Sequence, residues 1–394
     1  MENVQRGMDD SQDTRPCVDA DVPRLVGRLL NDREFVEFLG RYHSPTLARW
    51  CPFLVRTLVK RRLGKLLGDV ETIADFQKIV ATYAQKLIDE TMTVFRHNGL
   101  EQLDPEAAYL YVSNHRDIAG DSMLVDFVLF RSGLDTVRIA VGDNLVQRQF
   151  ATDLMTLNKS FFIKRSAEGA KKIYAALLDS SKYIHESLAE GQSVWIAQAE
   201  GRAKDCVDET DPALIKMFAL AGRKRPFNEV IAELNILPVA ISYEFDPCDV
   251  LKAKELHAIR AEGKYSKPPG EDLLSLVKGL GGFKGEVHVT FGKVLDGSFE
   301  TPDQVAEEVD RQVLANLKLF PVNFLALRRL AESGAGAEFA AAWDGVAAIA
   351  TNIRDPRFDE RLSACPVEWQ TEWLTMYANP ILNKQRHGIP VSLG

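Results

Sequence analysis

The chain has 394 residues, of which 46% are hydrophobic and 26% charged, and its formal net charge is −8. This length and composition suit a globular protein with a substantial core, while the acidic balance argues against general nucleic-acid binding, which usually requires a basic excess. The five cysteines are scattered and never spaced C-x-x-C, which argues against a disulfide framework or a structural zinc site and favours a reducing, cytoplasmic compartment.

Residues 1–20 are polar and are predicted to form a disordered tail rather than a signal peptide. A helical subdomain is predicted over 21–100. Within it, the segment 41–65 holds seven Lys or Arg residues and no acid, with apolar residues such as Phe53 and Leu58 interleaved. Such a basic amphipathic helix suits an anionic surface, which predicts a peripheral position on the inner face of the cell membrane. The alternative is a surface helix packed on the core with its basic side chains extended into water.

The rest of the helical subdomain and the following domain differ in pattern. The stretch 71–97 spaces its apolar residues three and four apart, which predicts one amphipathic helix. Strands are predicted at 108–113, 137–142, 160–165, 193–197, 236–244 and 286–295. Strands separated by helices imply an α/β domain over 101–300, with a mixed, largely parallel sheet flanked by helices. Helices return over 301–394 as a C-terminal extension, with Thr301 as the predicted N-cap.

The run YLYVSNHRDIAGDS, residues 109–122, follows the first predicted strand of the α/β domain. It places His115 directly after the apolar residues, and Asp117 and Asp121 where a helix begins. Binding sites in α/β folds form at the carboxyl ends of the strands. A histidine beside a carboxylate is the minimal general-base pair, because the acid fixes the imidazole tautomer and stabilises the imidazolium. The sequence therefore predicts a catalytic histidine with an aspartate partner at this edge.

Basic residues follow two further predicted strands, in SFFIKR and in VWIAQAEGRAKD. A guanidinium fork or an ammonium group at a strand end suits a phosphate. Glu200 would either pair with a basic residue to hold its loop or bind a substrate hydroxyl. The predicted substrate-binding residues are Asn114, Arg116, Lys164, Arg165, Glu200, Gly201, Arg202 and Lys204.

The ordered set NHRDIAGD, FFIKR, EGRAKD and ILPVAI, within residues 107–245, resembles the four sequence blocks of the glycerolipid acyltransferase superfamily. The resemblance implies transfer of a fatty acyl group from acyl-CoA or acyl carrier protein to a hydroxyl of a glycerophosphate or lysophospholipid. His115 would act as the general base, without an acyl-enzyme and without a metal or cofactor. The resemblance also implies that backbone N–H groups near the following helix hold the oxyanion.

The chain departs from the family pattern in two places. The family Asp lies five positions after the histidine, where this chain has Gly120, so Asp121 is favoured as the partner and Asp117 is the alternative. The third block usually reads Phe-Pro-Glu-Gly-Thr-Arg, whereas the basic residue here comes one position earlier. The phosphate ligand is therefore either Arg202 or Lys204.

Two other functions are compatible with the same residues. A metal-dependent phosphoester hydrolase would use His115, Asp117 and Asp121 as ligands, but further ligands at convincing spacing do not follow. A non-catalytic lipid-binding protein on the same scaffold is disfavoured by the intact histidine and aspartate.

Overall fold

The computed structural model describes residues 17–143, 148–164, 169–350 and 352–393. In these ranges the strands are β1 Met92–Asn98, β2 Leu110–Ser113, β3 Arg138–Gly142, β4 Ser160–Ile163, β5 Val194–Ala197, β6 Ile236–Tyr243 and β7 Gly285–Phe291. The helices up to the middle of the chain are α1 Val22–Asn31, α2 Arg33–His43, α3 Pro45–Trp50, α4 Pro52–Leu67, α5 Ile73–Thr91, α6 Gly120–Arg131, α7 Gln149–Leu157, α8 Ala170–Ala189 and α9 Pro212–Phe218. The later helices are α10 Phe227–Ala232, α11 Asp249–Glu262, α12 Glu271–Gly281, α13 Pro302–Asn316, α14 Pro321–Ser333, α15 Ala337–Asp344, α16 Ala347–Ala350, α17 Pro356–Ala364 and α18 Gln370–Arg386.

The chain forms two compact units. The first draws on residues 1–80 and 138–183, and the second on 81–137 and 184–394. In the first unit, apolar residues of α1, α2, α4 and α7 pack into one core that includes Leu29, Val36, Leu67 and Leu157. The strands β3 and β4 of this unit pair in parallel.

The second unit contains the sheet that positions the candidate site. β2 pairs in parallel with β5 on one side and with β6 on the other, β6 pairs antiparallel with β7, and β7 pairs in parallel with β1. The predicted mixed, largely parallel sheet is thus confirmed. All four residues of β2 are buried, as expected for a strand that is covered on both faces and reads as a continuous apolar run.

The prediction of one helix over 71–97 is wrong from Met92 onward. Helix α5 ends at Thr91, and Met92–Asn98 forms β1. This segment pairs along its length with β7, for example Phe95 with Val287. Its Thr93 and Val94 are β-branched residues, which favour strands, and the pairing with β7 lies too far along the sequence for apolar spacing to reveal it.

The C-terminal extension packs as helices around its own aromatic core. Trp373 of α18 is fully buried between Phe358 and Tyr377. The predicted N-cap is present, since Thr301 Oγ1 accepts a hydrogen bond from Gln304 N and Thr301 N donates to Gln304 Oε1. Among the described residues, none of the helices combines the length and apolar character required to cross a bilayer.

Candidate active site

His115 and Asp121 form the predicted pair at the carboxyl end of β2. The distance between His115 Nδ1 and Asp121 Oδ2 is 2.8 Å. The imidazole side chain is 16% exposed, whereas the carboxylate is fully buried. One edge of the imidazole packs against Trp195 of β5, with the ring centroids 5.8 Å apart. Within the described parts of the chain, no hydrogen bond involves His115 Nε2.

The Asp121 carboxylate is held by four donors, counting His115. Its Oδ2 accepts from the backbone N–H groups of Arg116 at 2.6 Å and Asp117 at 2.9 Å. Its Oδ1 accepts from the Tyr243 hydroxyl at 2.8 Å. Because a buried carboxylate is costly unless its oxygens are hydrogen-bonded, this arrangement fixes one orientation of Asp121. A neutral imidazole that donates its Nδ1–H to this carboxylate has its lone pair on Nε2.

Asp117 does not reach the imidazole. Its Oδ1 accepts from Ala119 N at 3.1 Å and Gly120 N at 2.7 Å, which closes the turn before α6. Its other oxygen faces Gly279 of α12 so closely that a Cβ there would lie 2.0 Å from it. Burial, and secondly the charge of Asp121, raises the pKa of Asp117 above its ordinary value. Of the two predicted partners of His115, the structure selects Asp121.

The predicted oxyanion donors near the start of α6 are largely occupied. The N–H groups of Arg116 and Asp117 bind Asp121, and those of Ala119 and Gly120 bind Asp117. The expectation that this turn holds the oxyanion is therefore not met for these four groups, because the two aspartates that shape the turn take their hydrogen bonds.

Backbone and side-chain contacts tie the histidine turn to its neighbours on both sides. The His115 carbonyl accepts from Ala203 N at 2.9 Å, which joins it to the loop after β5. The Arg116 carbonyl accepts from the Lys252 ammonium at 2.8 Å, and Lys252 is also paired with Asp246. The loop after β5 and the segment after β6 therefore hold the backbone of the histidine turn.

Three predicted substrate-binding side chains already have protein partners. Both polar atoms of the Asn114 amide bind the backbone of Ile241, at 3.0 and 2.8 Å, and the residue is fully buried. Arg116 is buried in an ion pair with Asp208. The Lys204 ammonium lies 2.7 Å from a Glu255 oxygen. Asn114 and Arg116 hold the histidine turn in place and are not available to a substrate, which corrects the sequence-based prediction for both.

The remaining predicted residues differ in what the structure shows. Arg202 is half-buried, and no hydrogen bond or ion pair to it is found within the described residues. Gly201 beside it has a φ of +77°, a left-handed conformation that favours glycine, and Glu200 is exposed. Lys164 is exposed and belongs to the first unit. Arg165 lies outside the described residues.

Sequence reasoning missed Tyr243, Asp208 and Lys252. Tyr243 ends the apolar strand that contains the fourth sequence block, and its position at a strand end was an available signal. Asp208 and Lys252 are 92 and 136 residues from Arg116 in sequence, and no local pattern predicts such ion pairs. In the ranges that the structure describes, no group of three or more His, Cys, Asp or Glu residues is arranged to hold a metal ion.

In sequence, the chain is similar to known acyltransferases. The acyltransferase family model matches residues 94–242. The chain is similar to the glycerol-3-phosphate acyltransferase of Pseudomonas syringae pv. syringae (strain B728a), with 25% identity over 250 residues, 61% of this chain and 28% of the relative. It is also similar to that of Ectopseudomonas mendocina (strain ymp), with 25% identity over 244 residues, 61% of this chain and 27% of the relative.

The chain thus spans little more than a quarter of the length of these curated relatives. Among solved structures, the 1-acyl-sn-glycerophosphate (LPA) acyltransferase of Thermotoga maritima matches with 14% identity and a TM-score of 0.37. That match covers 72% of this chain and 94% of the other.

Proposed function

We propose that the chain is a member of the glycerolipid acyltransferase superfamily, as its similarity to acyltransferases supports. In this proposal it is an O-acyltransferase that moves a fatty acyl group from acyl-CoA or acyl carrier protein to a hydroxyl of a glycerophosphate or lysophospholipid. The observation that carries this proposal is the 2.8 Å contact between His115 Nδ1 and Asp121 Oδ2. His115 Nδ1 is held by Asp121, so the Nε2 lone pair is free to accept the proton of an acceptor hydroxyl.

The reaction requires no covalent enzyme intermediate. His115 Nε2 removes the hydroxyl proton as the oxygen attacks the thioester carbonyl, and Asp121 stabilises the resulting imidazolium. The tetrahedral intermediate collapses with cleavage of the C–S bond, and the imidazolium returns its proton to the departing thiolate. The products are an ester and a free thiol.

Arg202 is the proposed anchor for the acceptor phosphate. It lies in the loop after β5, next to Ala203, whose N–H binds the His115 carbonyl. A planar guanidinium that forms no described hydrogen bond or ion pair can bind a phosphate through two hydrogen bonds. The charge of Arg202 also lowers the pKa of Asp246. Lys204 is the weaker candidate, because its ammonium is engaged by Glu255. Binding energy at the phosphate would place the hydroxyl against the thioester.

A mass-spectrometric acceptor screen tests the function. Purified protein is incubated with labelled acyl-CoA or labelled acyl carrier protein and with glycerol 3-phosphate, lysophosphatidate or other lysolipids. We expect one donor and acceptor pair to give an acylated product, and His115→Ala to abolish it. His387→Ala, which removes an exposed histidine after α18, is the matched control and should retain the activity. Turnover by His115→Ala at the wild-type rate would overturn the mechanism.

A bilayer surface is the proposed location of the enzyme, at the cytoplasmic face of the cell membrane. The end of α3 and the start of α4 expose Trp50 and Phe53, which are 76% and 79% accessible, together with Leu54 and Leu58. Of the apolar residues at the start of α4, Val55 is the one that faces the core. Exposed Lys60, Arg61 and Arg62 follow on α4. Aromatic side chains beside cations are suited to an anionic lipid interface.

A further inference from the structure

Tyr243 connects β6 to the catalytic pair. It is the last residue of β6, and its hydroxyl donates to Asp121 Oδ1 at 2.8 Å. The other oxygen of the same carboxylate faces His115 Nδ1, also at 2.8 Å. One buried carboxylate therefore joins the tyrosine hydroxyl to the imidazole, with one oxygen for each.

We propose that Tyr243 is a positioning residue for the His115–Asp121 pair, which fixes the orientation of Asp121 and reduces the negative charge that Asp121 presents to the imidazole. The inference rests on the proposed acyl transfer, in which His115 must both accept a proton and return it. If the full negative charge of Asp121 acted on the imidazole, it would stabilise the imidazolium and slow the return of the proton to the thiolate.

The geometry supports a role for the hydroxyl beyond packing. Without it, Asp121 Oδ1 would be buried without a described donor, because Arg116 N, Asp117 N and His115 all contact Oδ2. A buried acceptor left unpaired is unfavourable, so the charge of the carboxylate would be compensated by fewer donors and would act more strongly on the imidazole.

The hydroxyl stays a donor across the working pH range. Desolvation, and then the charges of Asp121, Asp117 and Asp246, hold the pKa of Tyr243 well above its ordinary value. The cations whose charges act on Asp121 from neighbouring elements are Arg116 and Lys284. None of these groups is altered by removing the tyrosine hydroxyl alone.

Tyr243→Phe tests the proposal by steady-state kinetics. We expect kcat to fall about tenfold, the size expected for part of a hydrogen bond to a charged group, with KM changed less than about twofold. The acid limb of the kcat/KM profile should move to higher pH, because an aspartate relieved of its donor favours the protonated imidazole more strongly. The matched control is Tyr265→Phe, which removes another tyrosine–carboxylate bond, to Glu271, and should leave the profile in place.

A double variant separates action through Asp121 from a general structural effect. On an Asp121→Asn background, the hydroxyl has no carboxylate to act on, so adding Tyr243→Phe should change kcat less than about twofold. An equal loss on both backgrounds would overturn the proposal. So would a single variant that alters only KM and leaves the pH profile unchanged.

Two measurements keep the test informative if Tyr243→Phe folds poorly or if acyl transfer is not found. Incorporation of 3-fluorotyrosine at position 243 preserves the shape and makes the hydroxyl a stronger donor, so the acid limb should move to lower pH. Proton NMR of the His115 Nδ1–H resonance does not depend on turnover. We expect it to move downfield in Tyr243→Phe and to stay in place in Tyr265→Phe. An unchanged resonance in Tyr243→Phe would refute the inference even in an active enzyme, whereas a shifted resonance in a protein without acyl transfer would refute only the proposed function.

Discussion

In the proposed mechanism, His115 serves as a base only while Asp121 holds its Nδ1 proton, since a neutral imidazole that flips or changes tautomer presents an N–H to the substrate instead of a lone pair. The residue in contact with His115 Nδ1 is Asp121, whose Oδ2 lies 2.8 Å away. Asp117 shapes the turn by binding two backbone N–H groups. The two aspartates therefore have separable roles.

Asparagine substitutions at the two positions are expected to differ strongly. Asp121→Asn should lower kcat by roughly 10²–10⁴-fold, because an amide favours the wrong imidazole tautomer and cannot stabilise the imidazolium. Asp117→Asn keeps an oxygen that can accept from Ala119 and Gly120, so its loss of kcat should be under about tenfold. Steady-state kinetics of the two purified variants measures the difference. A larger loss of kcat for Asp117→Asn would show that Asp117, and not Asp121, is the catalytic partner of His115.

Arg202 and Lys204 should also separate on substitution. Arg202→Ala is expected to lower kcat/KM for a phosphate-bearing acceptor at least about tenfold, because it removes a charge-assisted contact. Lys204→Ala should change kcat/KM by less than about threefold but lower the thermal midpoint, since Glu255 loses its partner. An acceptor without a phosphate is the control, because Arg202→Ala should not weaken its turnover selectively. A loss of kcat/KM that is confined to the phosphate-bearing acceptor in Lys204→Ala, and absent in Arg202→Ala, would show that Lys204 is the phosphate ligand.

The sequence predicted the strands and helices that a local pattern of apolar residues marks. The apolar run before His115 and the one before Glu200 are strands, and they lie side by side as β2 and β5. The strand over 92–98 was missed because its pairing with β7 depends on residues almost 200 positions away. The two discontinuous units were not predicted for the same reason, since chain order favours contiguous domains.

The candidate site shows the same division between local and distant information. The His115–Asp121 pair was predictable from a run of seven residues. The hydroxyl that holds the far oxygen of Asp121 comes from a strand 122 positions later. Asn114 and Arg116 bind Ile241 and Asp208, which are distant in sequence. Residue type alone could therefore not distinguish substrate ligands from structural residues.

The membrane contact proposed for the exposed surface of α3 and α4 can be tested by charge reversal. Lys60→Glu with Arg61→Glu should weaken binding to phosphatidylglycerol vesicles by about tenfold or more, since each basic residue near an anionic surface contributes about 1 kcal/mol. Arg56 is a less suitable position, because it also lies 3.6 Å from Glu37. Vesicle flotation measures the change.

The control for the vesicle experiment is a double reversal at Lys171 and Lys172 of α8. Both lysines are exposed, and the change in net charge is identical. We expect the loss of vesicle binding to depend on which lysines and arginines are reversed. An equal loss in both double variants would show that net charge alone, and not the surface of α4, determines binding. Unchanged binding of the α4 variant would remove this surface from the membrane contact.

Within the second unit, the C-terminal extension contacts the α/β part of the chain close to the candidate site. The Tyr377 hydroxyl of α18 donates to Asp249 at 3.0 Å and accepts from Asp246 N at 2.9 Å. Asp246 in turn pairs with Lys252, which binds the carbonyl of Arg116. A continuous set of buried polar contacts thus runs from the extension to the residue after His115, which makes the extension part of the structural support of the site.

Asp310 of α13 forms a second such link and should make the stability of the fold depend on pH. Its Oδ1 accepts from Thr210 N at 2.8 Å, beyond the loop after β5. Burial raises the pKa of Asp310 to about 7, with nearby Glu209 and Asp208 adding to the effect. A carboxyl that binds its proton more tightly in the folded state favours folding at low pH, and this contribution is lost as the pH rises from about 4 through 7.

Asp310→Asn should remove that dependence while keeping an oxygen that can accept from Thr210. Relative to the parent protein, the variant is expected to gain stability on the order of 4 kcal/mol at pH 8.5, since the pKa of Asp310 rises by roughly three units, to about 7, and each unit corresponds to about 1.4 kcal/mol. At about pH 4, where Asp310 is protonated in the folded parent, the gain should nearly vanish. Denaturant unfolding of both proteins at several pH values measures the difference, and other titrating groups cancel in it because the two proteins share them. Parallel stability curves would mean that Asp310 is ionised in the fold at neutral pH, and that its contact with Thr210 offsets the cost of burying the charge.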